Sequence, residues 1–142
     1  MRIFRNIPVV LILTVFFFGC GEKRETREIK HENGKLKEKY YVIKNARGAY
    51  ENDGPAMSWY PSGRKKMEWV YKHDTFDGPF IAWYQSGLKA GVGAFKEGAY
   101  DGLVKMWYEN GTMESEAVFK NGKIVPGSEK TWDENGNPKQ PK

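Results

Sequence analysis

The chain has 142 residues, 29% of them charged and 15% aromatic, which excludes both a disordered acidic tail and an oily membrane protein and fits one domain with a thin core. Its formal net charge of +5 falls to +3 (21 Lys+Arg against 18 Asp+Glu) without residues 1–19, too small an excess to argue for nucleic-acid binding. Those first residues are a segment of their own. Arg2 and Arg5 precede an almost unbroken apolar run of 12 residues, Ile7 to Phe18. A bilayer-spanning helix needs roughly 20 residues, so the run has instead the length of the h-region of a secretory signal.

The run ends in Phe17-Phe18-Gly19-Cys20, where a small residue precedes the only cysteine. This junction resembles the lipobox of bacterial lipoproteins, with Phe17 and Phe18 standing where that box has Leu and a small residue. The resemblance implies a signal peptide over 1–19, a lipid on Cys20 and a mature chain held at an envelope membrane; a plain signal peptide or an uncleaved N-terminal anchor is the alternative. Several acyl chains at about 0.8 kcal/mol per buried methylene make such an anchor firm. Gly21 is not the aspartate that retains many Gram-negative lipoproteins in the inner membrane, which points to the outer one. With Cys20 used, no disulfide remains, and the domain is held by its sheet alone. Gly21 to Glu28, GEKRETRE, alternates charge with almost nothing to bury. With Cys20 it is expected to form a flexible tether over 20–28.

Residues 29–137 carry a repeat. Gly54, Gly78, Gly102 and Gly127 are 24, 24 and 25 residues apart, and five residues after each comes Trp59, Trp83, Trp107 or Trp132. Tyr60, Tyr84 and Tyr108 follow the first three, and Gly63, Gly87, Gly111 and Gly136 stand four residues past each tryptophan. A fixed period of this size marks an array whose units are too small to fold alone. Lys30 to Asn45 reads as a degenerate first unit, with Asn33-Gly34 as its turn, Lys30 in the tryptophan's place, and a longer junction around Ala46 to Asn52. Ile124 to Pro138 reads as the closing unit, stopped by Pro138 and Pro141 ahead of a tail over 138–142.

In each regular unit the segment Tyr60-Pro61-Ser62-Gly63, Tyr84-Gln85-Ser86-Gly87 or Tyr108-Glu109-Asn110-Gly111 predicts a three-residue hairpin loop with a G1 bulge. The fold expected is all-β: an elongated single antiparallel sheet of successive β-hairpins. Alternation from these loops puts Met57, Trp59, Met67, Trp69 and Tyr71 on one face, with Ile81, Trp83, Phe95, Leu103, Trp107, Met113, Ala117 and Phe119. The tyrosines then share a more polar face with Ser58, Arg64, Lys66, Glu68, Thr112, Glu114 and Glu116, except in 78–98, where that face carries Phe80, Ala82, Leu88, Ala90, Val92 and Ala94 and the unit is apolar on both sides. Gly91 and Gly93 fall on the tryptophan face, where bare backbone asks for a close neighbour, either a ring such as Trp69 or Trp83 or a ligand.

The unit resembles the bacterial variant of the MORN repeat. The matching residues are Phe76-Asp77-Gly78 with Trp83-Tyr84 and Gly87, Tyr100-Asp101-Gly102 with Trp107-Tyr108 and Gly111, and Asp53-Gly54 with Trp59-Tyr60 and Gly63. The resemblance implies a twisted sheet of successive hairpins and no enzyme activity. Members of the wider family are scaffolds or membrane-associated modules, and some bacterial ones are labelled antitoxin components.

Catalytic and metal chemistry find no constellation here. His31 and His73 lack partners at metal-ligand spacing, no nucleophile has a base beside it, and no cofactor motif is present. What repeats is an aromatic surface: Tyr60, Tyr84 and Tyr108 should recur every two strands, roughly 9.6 Å apart. Such a row either stiffens the sheet through ring contacts or offers a platform to an extended partner. Three functions follow: a membrane-tethered scaffold for another envelope protein, a glycan- or cell-wall-binding module, and an antitoxin-like protein. The 24-residue period favours the first, since wall-binding aromatic repeats are nearer 20 residues long.

Overall fold

The computed structural model describes residues 23–139; the signal segment and Cys20 lie outside the described residues. Four long hairpins form the array: β1 (Glu25–Lys30) with β2 (Leu36–Lys44), β4 (Gly54–Trp59) with β5 (Lys65–Lys72), β7 (Gly78–Trp83) with β8 (Lys89–Lys96), and β10 (Gly102–Trp107) with β11 (Met113–Lys120). Five short strands complete it: β3 (Tyr50–Asn52), β6 (Thr75–Phe76), β9 (Ala99–Tyr100), β12 (Lys123–Ile124) and β13 (Lys130–Thr131). All belong to one antiparallel sheet in the order β1-β2-β4-β5-β7-β8-β10-β11, with β12 and β13 on the last long strand. The all-β expectation holds.

The loops expected between the long strands are present. Tyr60 N–H donates to Arg64 O and Gly63 N–H to Tyr60 O, and the same pair of bonds closes 84–88, 108–112, 31–35 and 133–137. Each unit also has a second hairpin, in addition to the loops read from the sequence. Lys72 pairs with Thr75, Lys96 with Ala99 and Lys120 with Lys123, so only two residues separate the strands. Both central residues have positive φ: His73 48° and Asp74 63°, Glu97 50° and Gly98 82°, Asn121 49° and Gly122 76°. These are type I′ turns, whose twist suits a two-residue hairpin. The longer junction in the first unit is the same hairpin with a wider loop, Asn45–Ala49, joining β2 to β3.

The assignment of faces is corrected. Trp59 pairs with Lys65 but Ser58 pairs with Met67, so Lys66 is an extra residue; Ala90 and Glu114 are extra at the equivalent places. A bulge of this kind shifts the second strand by one residue, which exchanges its faces. The tryptophans of β4, β7 and β10 therefore lie opposite Trp69, Tyr71, Phe95, Ala117 and Phe119, not beside them. The buried cluster of Ala56, Trp69, Phe80 and Val104 is on the side to which alternation assigns Tyr60, Tyr84 and Tyr108.

Cross-strand volume explains that cluster. Ala56 faces Trp69, Phe80 faces Gly93, and Val104 faces Ala117. One large and one small residue share each equivalent pair, so the layer stays filled while the sequence changes. Beside it runs a file of rings: Tyr71–Phe76 5.1 Å, Phe76–Phe95 5.3 Å, Phe95–Tyr100 4.6 Å and Tyr100–Phe119 5.2 Å between centroids. Gly91 and Gly93 belong to this side. A Cβ on Gly93 would sit 2.9 Å from Phe80 Cε1 and 2.9 Å from Val104 Cγ2, and one on Gly91 would sit 2.8 Å from Met106 Sδ. A neighbour does cover the bare backbone, but it is Phe80, Val104 and Met106, not Trp69 or Trp83.

Both ends of the array differ from expectation. Glu25 to Glu28, expected in the tether, enters β1; Thr26 is 4% exposed, and Arg24 Nη2 reaches Asp53 Oδ1 at 2.8 Å. At the C-terminus Pro138 bridges Trp132, and Lys139 N–H donates to Thr131 O, so the last hairpin does return, as a stub. Ser128 Oγ meets both the N–H and the C=O of Val118 between β12 and β13, which satisfies backbone that an open edge would leave unpaired.

Candidate interaction surface

Each predicted tyrosine has a defined partner. Tyr60 OH donates to Trp83 O at 2.8 Å, Tyr84 OH to Trp107 O at 2.6 Å, and Tyr108 OH to Trp132 O at 2.9 Å. The phenol thus bridges from one hairpin loop to the backbone of the next, a link worth about 0.5–1.5 kcal/mol. Burial, and then the carboxylates of Glu114 and Glu109, push the Tyr84 phenol above its ordinary pKa. The hydroxyls of Tyr60, Tyr84 and Tyr108 couple the units by hydrogen bonds to the next unit's backbone, in place of the ring contacts expected along the row.

His31 belongs to the same ladder. It opens the first loop as Tyr60 opens the second, and its Nε2 lies 2.9 Å from Trp59 O. Asn33 donates to Pro61 O and Lys35 to Ser62 O beside it, while Arg64 donates to Gln85 O and Ser86 O, and Asn110 to Glu134 O. Neighbouring loops are therefore joined by side chain to backbone along the row. A capping residue at a tyrosine position was legible in the spacing, since Lys30 marks the tryptophan's place. His73 lies elsewhere, in a type I′ turn, with Nδ1 3.0 Å from Glu51 Oε2. Among the described residues no group of three His, Cys, Asp or Glu could hold a metal ion.

The repeat glycines keep to the expected turns and strand starts: Gly63, Gly87 and Gly111 close the loops, and Gly54, Gly78 and Gly102 open β4, β7 and β10. The second set shares a positive φ, 110° at Gly54, 128° at Gly78 and 95° at Gly102, and at Gly78 alone of the three a Cβ would also come within 3.0 Å of Val70 Cβ.

The tryptophans make the other row. Trp59, Trp83 and Trp107 are half-buried on the face opposite the ring file, and Trp132 is half-buried at the equivalent place in the stub. Register sets Met57, Ile81, Leu103 and Val118 on that same face, the last two 49% and 39% exposed. Charge is interleaved with it. Lys65 Nζ stands 5.4 Å from the Trp83 ring centroid and is bonded to the Glu68 carboxylate. Lys130 and Lys105 flank Glu116 at 2.9 and 3.4 Å, and the hydrogen bond from Lys130 is the main cause holding the Glu116 carboxyl below its usual range.

Comparison with known proteins adds one finding. A family model described as MORN repeat variant matches residues 100–121. No curated protein and no solved structure matched the chain. The matched segment spans one regular unit, and the structure repeats its strands, both turns and its tyrosine-to-carbonyl bond at residues 76–97. The chain is thus a β-hairpin array whose units are built like the MORN repeat variant matched at 100–121.

Proposed function

We propose that this chain is a non-enzymatic repeat scaffold, held by a lipid on Cys20 at an envelope membrane, that presents its tryptophan face to a protein partner. One observation carries the reading. The ring file and the buried cluster use one face of the sheet, the tyrosines couple the units, and the tryptophan row is left half-exposed at the 24-residue period. Apolar and aromatic groups rimmed by lysine–glutamate pairs suit a protein surface better than bare lipid or nucleic acid, since anchors of this kind carry most of the energy of protein interfaces.

The test is a photocrosslinking residue placed at Leu103 in intact cells, with the captured partner identified by mass spectrometry. Trp83→Ala and Trp107→Ala should each reduce capture while leaving the fold intact. Retention of the protein on purified cell wall, lost with the same two substitutions, would replace this reading with the glycan-binding one. Anchoring is tested separately: Cys20→Ala should leave the precursor uncleaved or move the protein out of the detergent phase.

A further inference from the structure

Positions 52, 76 and 100 are equivalent, each two residues before the glycine that opens a long strand. Phe76 and Tyr100 put a ring between the rings of neighbouring units, and so keep the file continuous. At 52 the residue is Asn, and Val42, its pairing partner, holds the place that Tyr71 holds opposite Phe76. The file therefore stops at Tyr71. Beside it lies a hollow of about 190 Å³ lined by Glu38, Tyr40, Asn52, Trp69 and Tyr71. Trp69 and Tyr71, whose rings meet edge to face at 5.9 Å and 76°, border it, with Trp69 itself only 8% exposed.

The polar lining is equally particular. Glu38 takes the position of Met67 in the next unit, facing Ser58 as Met67 faces Ala82. Among the described residues neither the Glu38 carboxylate nor the Asn52 side-chain amide has a hydrogen-bond or ion-pair partner; of the half-buried glutamates Glu114 shares this, whereas Glu25, Glu28, Glu51, Glu68 and Glu116 are all paired. A half-buried carboxylate without a cation beside it favours a positively charged neighbour.

We infer that this hollow receives an aromatic side chain of a protein partner, carried in a segment with a basic residue next to it. The ring would continue the file past Tyr71 where the chain's own residue does not, and the neighbouring cation would meet Glu38. The site lies on the ring-file face, opposite the tryptophan row, and does not rest on the reading proposed above.

Two blocked tripeptides, Lys-Phe-Lys and Lys-Ala-Lys, titrated into the purified protein and followed by NMR, test the inference. Lys-Phe-Lys should shift the Trp69 indole and Asn52 amide signals saturably, with Lys-Ala-Lys weaker by about tenfold or more, as loss of a buried aromatic anchor demands. Asn52→Phe should fill the hollow from within, abolish the peptide shifts and raise the urea midpoint. Asn52→Leu carries the same test if the phenylalanine variant does not fold. Equal binding of the two peptides, no saturable shift with either, or shifts that survive in the Asn52 variant overturns the inference. So does N-acetylglucosamine shifting these signals where Lys-Phe-Lys does not.

Discussion

Gly93→Ala probes the packing rule of the array with a single added methyl group. The new Cβ would stand 2.9 Å from Phe80 Cε1 and 2.9 Å from Val104 Cγ2, well inside the ordinary carbon–carbon contact of about 3.5–4.0 Å. Neither neighbour can move cheaply. Phe80 is 4% exposed and held between Phe95 and Tyr100, at 5.0 and 5.6 Å, and Val104 is a β-branched residue, 5% exposed, facing Ala117. Overpacking of this kind costs about 1–3 kcal/mol. Replacing a strand glycine returns about 0.5–1 kcal/mol of backbone entropy, so the net loss is about 0–2.5 kcal/mol, centred on ~1. Gly91→Ala is the control. Its Cβ meets only the thioether of Met106 closely, and a methionine end can swing aside. That variant should lie within about 0.5 kcal/mol of the parent. Urea denaturation followed by tryptophan fluorescence measures both, with unchanged m confirming that the midpoint reports stability. A Gly93→Ala midpoint at or above the parent's, or a larger loss from Gly91→Ala, would refute the rule of one large and one small residue per cross-strand pair.

Three other outcomes follow from the same geometry. Phe80→Ala should cost about 3–5 kcal/mol, as truncation of a buried aromatic does, whereas Trp107→Ala, half-buried on the opposite face, should cost distinctly less and leave the array folded; comparable midpoints for the two would show the faces to be misassigned. Tyr84→Phe removes the 2.6 Å bond to Trp107 O and should cost about 0.5–1.5 kcal/mol at neutral pH. Because the Tyr84 phenol is raised in the fold, that difference should hold below the unfolded value of 10.0 and shrink as the pH climbs through the folded one. Glu116 has the reverse sign. Its folded pKa lies below the ordinary value of 4.5, so its contribution is complete above that pH and is lost as the pH falls through the folded value. The urea midpoints of parent and Glu116→Gln should therefore converge on acidification; a constant gap would mean that the lysine pairing contributes nothing.

The architecture was legible in the sequence because the residues that set it act locally. A Tyr-x-x-Gly loop closes through its own backbone, so the spacing of Gly63, Gly87 and Gly111 sufficed to place the long hairpins. The second turn left one clear mark, Asn121-Gly122, the pair most favoured in a type I′ turn. Its equivalents, Glu97-Gly98 and His73-Asp74, carry that mark weakly or not at all, since His73, Asp74 and Glu97 are non-glycine residues at positive φ. Those turns hold through contacts distant in sequence: Asp74 accepts from Asn52 N–H at 2.7 Å, and Asp77 from Glu97 N–H at 3.3 Å.

The faces are not legible along a single strand for a related reason. A bulge at Lys66, Ala90 or Glu114 has no residue of its own to announce it, yet one extra residue transfers an entire strand to the other side. The residues did contain the answer at one remove. Trp69, Gly93 and Ala117 are equivalent positions of very different size, and so are Ala56, Phe80 and Val104. Only when each large residue is set across from a small one do the volumes match, and that requires the bulge. Reading size compensation between the two strands of each unit, in place of polarity along one strand, would have placed the core on the tyrosine side and left the tryptophans to face outward.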